Sequence, residues 1–106
     1  FSDYTFAIFN DEKETEELVP FAKAYSGLSN SDIKVIDGKI KKLVEESYGP
    51  VKKVRPEIIV ELLFDSISES KRHKSGIAVR FPRMKRIRLD KTLNDIDRLS
   101  ALKKLI

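Results

Sequence analysis

The chain has 106 residues, enough for one domain with a single modest core. With 41% hydrophobic residues, 36% charged residues and no cysteine, it excludes a disulfide-stapled secreted scaffold. No run approaches the roughly 20 apolar residues of a membrane span, and the start Phe1-Ser2-Asp3-Tyr4 lacks the basic opening of a signal peptide. A cytoplasmic setting without a membrane partner is expected, and the missing initiator Met suggests a piece of something longer. The net charge of +4 hides an asymmetry: residues 1–50 carry 6 Lys/Arg against 10 Asp/Glu, and residues 51–106 carry 15 against 7. Residues 71–91 alone hold 9 basic side chains against one acid, Asp90. Such a stripe is the footprint of a polyanion, either nucleic acid or nucleotide phosphate.

In chain order, Tyr4 to Phe9 is dense in aromatic and β-branched residues and is expected to be a strand. Asn10 to Lys13 is a polar turn, and Thr15 to Tyr25 a second strand, where Pro20 predicts an edge or a bulge. Ser29 to Asp32 offers N-caps for a helix whose stripe, Ile33, Ile36, Ile40, Leu43 and Val44, runs to about Tyr48; Gly49-Pro50 then ends it. Glu57 to Ile67 predicts one long central strand, Ser68 to Ser75 a basic loop, and Gly76 to Phe81 a strand interrupted by Pro82. Met84 to Leu89 resumes that strand, with Arg86 and Arg88 on one face. Thr92 to Ile106 predicts a terminal helix with Leu93, Ile96, Leu99, Leu102 and Leu105 as its stripe. Short strands with one helix inserted suggest a mainly β domain with helices, an OB-fold-like Greek-key barrel.

Lys34-Val35-Ile36-Asp37-Gly38 approximates the Lys-x-Asp-Gly of nucleotidyltransferases, but its spacing is one residue too long and Ile36 belongs to the apolar stripe. His73 is the only histidine and there is no cysteine, so no metal site is expected. Glu57 and Glu61, four apart, are expected to share a strand face and to meet solvent or lysines.

Arg80-Phe81-Pro82-Arg83 followed by Arg88-Leu89-Asp90-Lys91 resembles motif VI of the ATP-dependent DNA ligases. Asp3 to Phe9 is similar to the strand after the family's motif V, and Gly27-Leu28 and Arg72 to Gly76 also fit. The resemblance covers nearly the whole chain and is nearer to the bacterial enzymes than to the short viral ones. It implies that residues 1–106 form the C-terminal OB-fold domain of such a ligase. The catalytic domain with the attacking lysine would lie elsewhere, so this domain alone would be inactive. The family's barrel has a strand before the point where this chain begins. The chain is therefore expected to start one strand short of closure, with Tyr4 to Phe9 or its neighbour exposing an edge open to self-association.

Arg88, Asp90 and Lys91 are the implied catalytic residues. Lysine adenylation expels pyrophosphate, to which Arg88 offers a planar fork and Lys91 a point charge, while Asp90 can orient one of these cations. Arg72, Lys74, Arg80, Phe81, Arg83 and Arg86 are the implied nucleic-acid surface. Phe81 either rests in the minor groove beside a nick or packs in the core with Ile77 and Val79. The implied cofactors of the parent enzyme are ATP and Mg2+, neither held tightly by this domain alone. The implied partners are nicked double-stranded DNA and the nucleotidyltransferase domain of the same chain. Two alternatives stay open: a stand-alone OB module for single strands, and the OB domain of an RNA ligase or capping nucleotidyltransferase.

Overall fold

Alternating apolar residues make β1 (Tyr4–Asn10) a strand with one inward face: Tyr4, Ile8 and Asn10 are buried and Phe6 is half-buried. The computed structural model describes residues 3–12, 14 and 16–106; Lys13 of the expected turn and Thr15 at the expected start of the second strand lie outside the described residues. β1 pairs antiparallel with β2 (Glu17–Ala24), and the register slips between Phe6 and Ala7, leaving Phe21 as the extra residue on β2. The slip falls beside Pro20, which has no N–H for a ladder, so the bulge expected from proline is present. It lets Val19, Phe21 and Ala24 all be buried despite their uneven spacing.

Ser29 caps α1 (Asn30–Leu43), its Oγ accepting the Asp32 N–H at 3.2 Å. Ile36 and Ile40 are buried, and the Tyr4 hydroxyl donates to Asp37 Oδ1 at 2.6 Å. Burial first, then the hydrogen bond and charge of Asp37, push the Tyr4 phenol up to about 12. Asp37 therefore ties α1 to β1, a structural role for the near-miss nucleotidyltransferase segment.

The helix stops at Leu43, short of the expected end at Tyr48. β3 (Val44–Tyr48) and β4 (Val51–Val54) instead form a hairpin around Gly49-Pro50, with Gly49 at φ 61°. Gly-Pro closes a helix and turns a hairpin equally well; the β-branched and aromatic residues on both sides, paired across the turn, decide for the hairpin.

The run from Glu57 to Ile67 is also divided. β5 (Val60–Leu63) pairs with β8 (Arg83–Ile87), and β6 (Ser66–Glu69) pairs with β7 (Ile77–Arg80). These four strands are one long hairpin bent at a corner, where Phe64-Asp65 faces Phe81-Pro82. The Asp65 N–H still donates to Arg80 O at 2.8 Å, and Arg83 Nη1 donates to Asp65 Oδ1 at 2.9 Å and to Phe81 O at 3.0 Å. A second slip, between Glu61 and Leu62, leaves Lys85 as the extra residue on β8.

The expected terminal helix is shorter than its stripe. The Thr92–Asp95 capping box supports only a 3-10 turn over Leu93–Asp95, and Arg98 is extended and bridges Phe9 before α2 (Leu99–Lys103) begins. Leu99 and Leu102 are buried, whereas Leu105 is exposed. Asp11 Oδ1 accepts the Ser100 N–H at 3.0 Å, and the Arg98 guanidinium lies 4.7 Å over the Phe9 ring. These contacts dock α2 on the first hairpin.

The core has two lobes. One joins Ile8, Val19, Phe21, Ile77, Leu99 and Leu102; the other joins Tyr4, Ala24, Ile36, Ile40 and Met84, with Phe6 and Leu62 packed against both. The domain is mainly β with two helices and OB-fold-like. Among the described residues its four two-stranded ladders do not merge into a closed barrel, and β1 pairs with β2 alone apart from the bridge at Phe9.

Two glycines test the packing in opposite directions. Gly27 has φ 106°, and a Cβ there would meet Met84 O at 2.1 Å, where Met84 N–H donates to Ser26 O at 2.8 Å. Gly38 is helical, and a Cβ there meets nothing within 4 Å. In chemical denaturation, Gly27→Ala is expected to cost about 3 kcal/mol. Gly38→Ala is expected to add up to about 1 kcal/mol of stability.

Candidate functional site

The corner of the long hairpin builds one basic surface. Pro82 has no N–H to pair, and Phe81 takes φ 54°, outside the strand region. Phe81 is consequently 61% exposed, so it projects outward and does not pack in the core with Ile77 and Val79. Arg80 lies over it, with Cζ 4.9 Å from the ring centroid. Arg72 and Lys74 are exposed on the turn that joins β6 to β7. That turn is held by Ser70 N–H donating to Gly76 O at 2.9 Å and by Ser70 Oγ against His73 Nδ1 at 2.7 Å. Arg83 and Arg86 belong to the same stripe but are already engaged: Arg83 braces the corner through Asp65, and Arg86 Nε donates to Glu61 Oε2 at 2.8 Å.

The far end of β8 builds a second basic surface. The Arg88 N–H donates to Ile59 O at 2.8 Å, which extends the ladder by one rung. The Arg88 guanidinium grips Asp90 with two bonds, Nε to Oδ1 and Nη2 to Oδ2, both at 3.1 Å. Its remaining nitrogen, Nη1, lies 3.9 Å from Glu61 Oε1. The hydrogen bonds from Arg88 hold the Asp90 carboxyl down at about 2, and Asp90 in turn raises the Arg88 guanidinium above its ordinary value. Of the two candidate cations, Asp90 thus orients Arg88. Lys91 is exposed and lines a shallow hollow of about 60 Å³ with Arg88, Glu57 and Lys39 of α1. Arg88 and Lys91 also stand on the rim of a larger open cleft of about 1210 Å³, walled by Phe6, Ile8, Phe21, Leu62 and Phe64.

All nine expected site residues therefore fall on the bent hairpin or just after it, but in two groups. One contributor, Lys39, was not foreseen, and a second, Glu61, meets an expected lysine and two arginines besides. Lys39 is exposed on α1 at the flank of its buried stripe, three residues after Ile36, and spacing alone gives it no role. Glu61 was expected to share a strand face with Glu57; Glu57 instead lies before β5 and pairs with Arg55, while Glu61 faces three cations: Lys85 at 3.9 Å, Arg86 at 2.8 Å and Arg88 at 3.9 Å. The Arg86 hydrogen bond, with added pull from Lys85 and Arg88, holds the Glu61 carboxyl below its ordinary value. Its partners are visible only once the cross-strand register is known. Among the described residues no three His, Cys, Asp or Glu side chains converge as a metal site, and no helix is long and apolar enough to cross a membrane.

The OB-like domain thus carries a guanidinium fork and a lysine at one end of a strand and an exposed arginine–aromatic corner at the other, two cationic surfaces of the chemistry that suits polyanions. Residues 1–91, ending on Lys91, match the model of the ATP dependent DNA ligase C terminal region, and the chain belongs to that family. It is 44% identical over 104 residues to a probable DNA ligase of Opitutus terrae, and 40% identical over 104 residues to one of Koribacter versatilis. It is 33% identical over 105 residues to DNA ligase 1 of Korarchaeum cryptofilum. These alignments cover 98%, 98% and 99% of this chain but only 10%, 17% and 19% of the respective relatives. The chain spans about a tenth to a fifth of the length of these relatives.

The Arg88–Asp90 pair can be tested by titration. Because Asp90 is lowered from 3.8 to about 2, its favourable contribution is fully present above pH 3.8 and is lost as pH falls through about 2. Carboxyl NMR should give an Asp90 midpoint near 2, moving back towards 3.8 in Arg88→Gln. A midpoint near 3.8 in the unaltered protein would contradict the pairing.

Proposed function

We propose that this domain serves two steps of an ATP-dependent DNA ligase. In the first it closes on the nucleotidyltransferase domain of the same chain, and Arg88 and Lys91 orient the pyrophosphate of ATP while a lysine of that other domain takes the adenylate. In the second it presents the corner bearing Arg80 and Phe81 to a nicked duplex for sealing. The observation that carries this reading is the Arg88–Asp90 fork beside Lys91. A guanidinium that already holds two carboxylate oxygens in parallel is shaped to hold two phosphate oxygens. Phosphoryl transfer asks a protein mainly for such positioning and charge.

The residues fit the phosphates of ATP. What this domain brings to those phosphates is the charge of Arg88 and Lys91. On the duplex, Arg72, Lys74, Arg80 and Arg83 would contact backbone phosphates, which position the protein without reading sequence. Phe81 would widen the minor groove beside the nick. Such a ligase acts in the cytoplasm, and the outer edge of β1 is where a second copy could pair. Single-strand binding is less well supported: among the described residues Phe6, Phe9 and Phe64 are half-buried, and the exposed Tyr25, Tyr48 and Phe81 lie on three separate segments, after β2, at the end of β3 and at the corner.

Two measurements test the reading in a ligase that contains this domain. Arg88→Ala should slow lysine adenylation by roughly 100-fold, the scale of removing one positioned charge donor from a transition state. Affinity for nicked duplex should fall with salt at roughly −0.9 log units per phosphate contacted and exceed that for single strands. A preference for single strands would favour the stand-alone module.

A further inference from the structure

The carboxylate of Glu61 stands between the two basic surfaces and touches both. The slip in the β5–β8 ladder places Lys85 and Arg86 together opposite Glu61. Its Oε2 accepts from Arg86 Nε at 2.8 Å and lies 3.9 Å from Lys85 Nζ, while its Oε1 lies 3.9 Å from Arg88 Nη1. Without the slip, strict alternation would send Lys85 and Arg86 to opposite faces. One carboxylate thus divides its charge between a cation of the nick-facing stripe and the arginine assigned to the departing pyrophosphate.

We propose that Glu61 is a positioning residue that couples the two surfaces, so that whatever draws Arg86 away tightens the hold on Arg88. The proposal rests on the assignment of Arg88 to ATP phosphates given above. Arg88 is flanked by two acids: Asp90 fills one side of its fork and Glu61 faces the other. Phosphate must compete with both. While Arg86 occupies Glu61, the field of that carboxylate on Arg88 is partly cancelled and the fork is easier to claim. When Arg86 turns to a DNA phosphate, Glu61 loses its closest partner and is left to Lys85 and Arg88, so its field on Arg88 grows and the fork becomes harder to claim. Engagement of the nick would then weaken the grip of the same domain on nucleotide, as a domain that serves the two steps in turn requires.

The test uses lysine adenylation by a full-length ligase containing this domain, measured without DNA, with the KM for ATP as the readout. Arg86→Ala should raise that KM about threefold, the scale of an exposed ion pair, although no DNA is present. In a Glu61→Gln background the same Arg86→Ala change should leave the KM unaltered. In a Glu61→Asp background, which keeps the charge, the effect should persist. Thermal midpoints within a few degrees of the parent show that the variants fold. An unchanged KM in Arg86→Ala, or an equal rise with and without the Glu61 charge, overturns the coupling. Arg88→Ala that adenylates like the parent is a separate result: it overturns the assignment of Arg88 on which the coupling rests.

Discussion

Pro82 cannot donate to a ladder and Phe81 sits at φ 54°, so the long hairpin formed by residues 60–87 has to bend where they meet Phe64 and Asp65. Much of the molecule depends on that bend. On one side, β6 and β7 carry Ile77 into the lobe closed by α2. On the other, β5 and β8 carry Met84 into the lobe closed by α1. The corner itself is held by Asp65, which donates its N–H to Arg80 and accepts from Arg83. A straight hairpin would serve only one lobe and would leave Phe81 as one more alternating strand residue.

The same bend sorts the positive charge. Nine Lys and Arg residues between 71 and 91 look like one stripe in the sequence. In the fold, the corner and the β6–β7 turn take Arg72, Lys74, Arg80 and Arg83, while Arg88 and Lys91 lie beyond the end of β8. Arg86 falls between them and meets Glu61. The proposed role in two successive steps needs two cationic surfaces that can be used separately. A single strand with a corner at one end and a guanidinium fork at the other supplies them.

Much of this was legible in the residues. Pro20 announced the bulge in β2 and Ser29 the cap of α1. Whether Phe81 turned outward depended on its backbone angle, which no periodicity reveals. The elements misread share a cause: local signals that suit two structures. Gly49-Pro50 suits a helix end and a hairpin turn, and only pairing of Val44–Tyr48 with Val51–Val54 separates them. The apolar run from Glu57 to Ile67 suits one strand, and it is split because its partner is bent at Pro82. The leucine stripe after Thr92 suits a long helix, yet the extended backbone at Arg98, bridged to Phe9 with its guanidinium over that ring, confines α2 to Leu99–Lys103. Glu61 was undervalued because its three partners lie across a ladder whose register slips.

The central claim is that the two surfaces serve different chemical steps. It is tested most directly by the rate at which a full-length ligase seals a nick that already carries its adenylate, a reaction that needs no ATP. Arg88→Ala should seal such a nick within a few-fold of the parent rate, whereas the pair Arg80→Ala and Phe81→Ala should seal it at least about tenfold more slowly. Equal losses in both variants, or a larger loss in Arg88→Ala, would contradict the division of labour between the end of β8 and the corner.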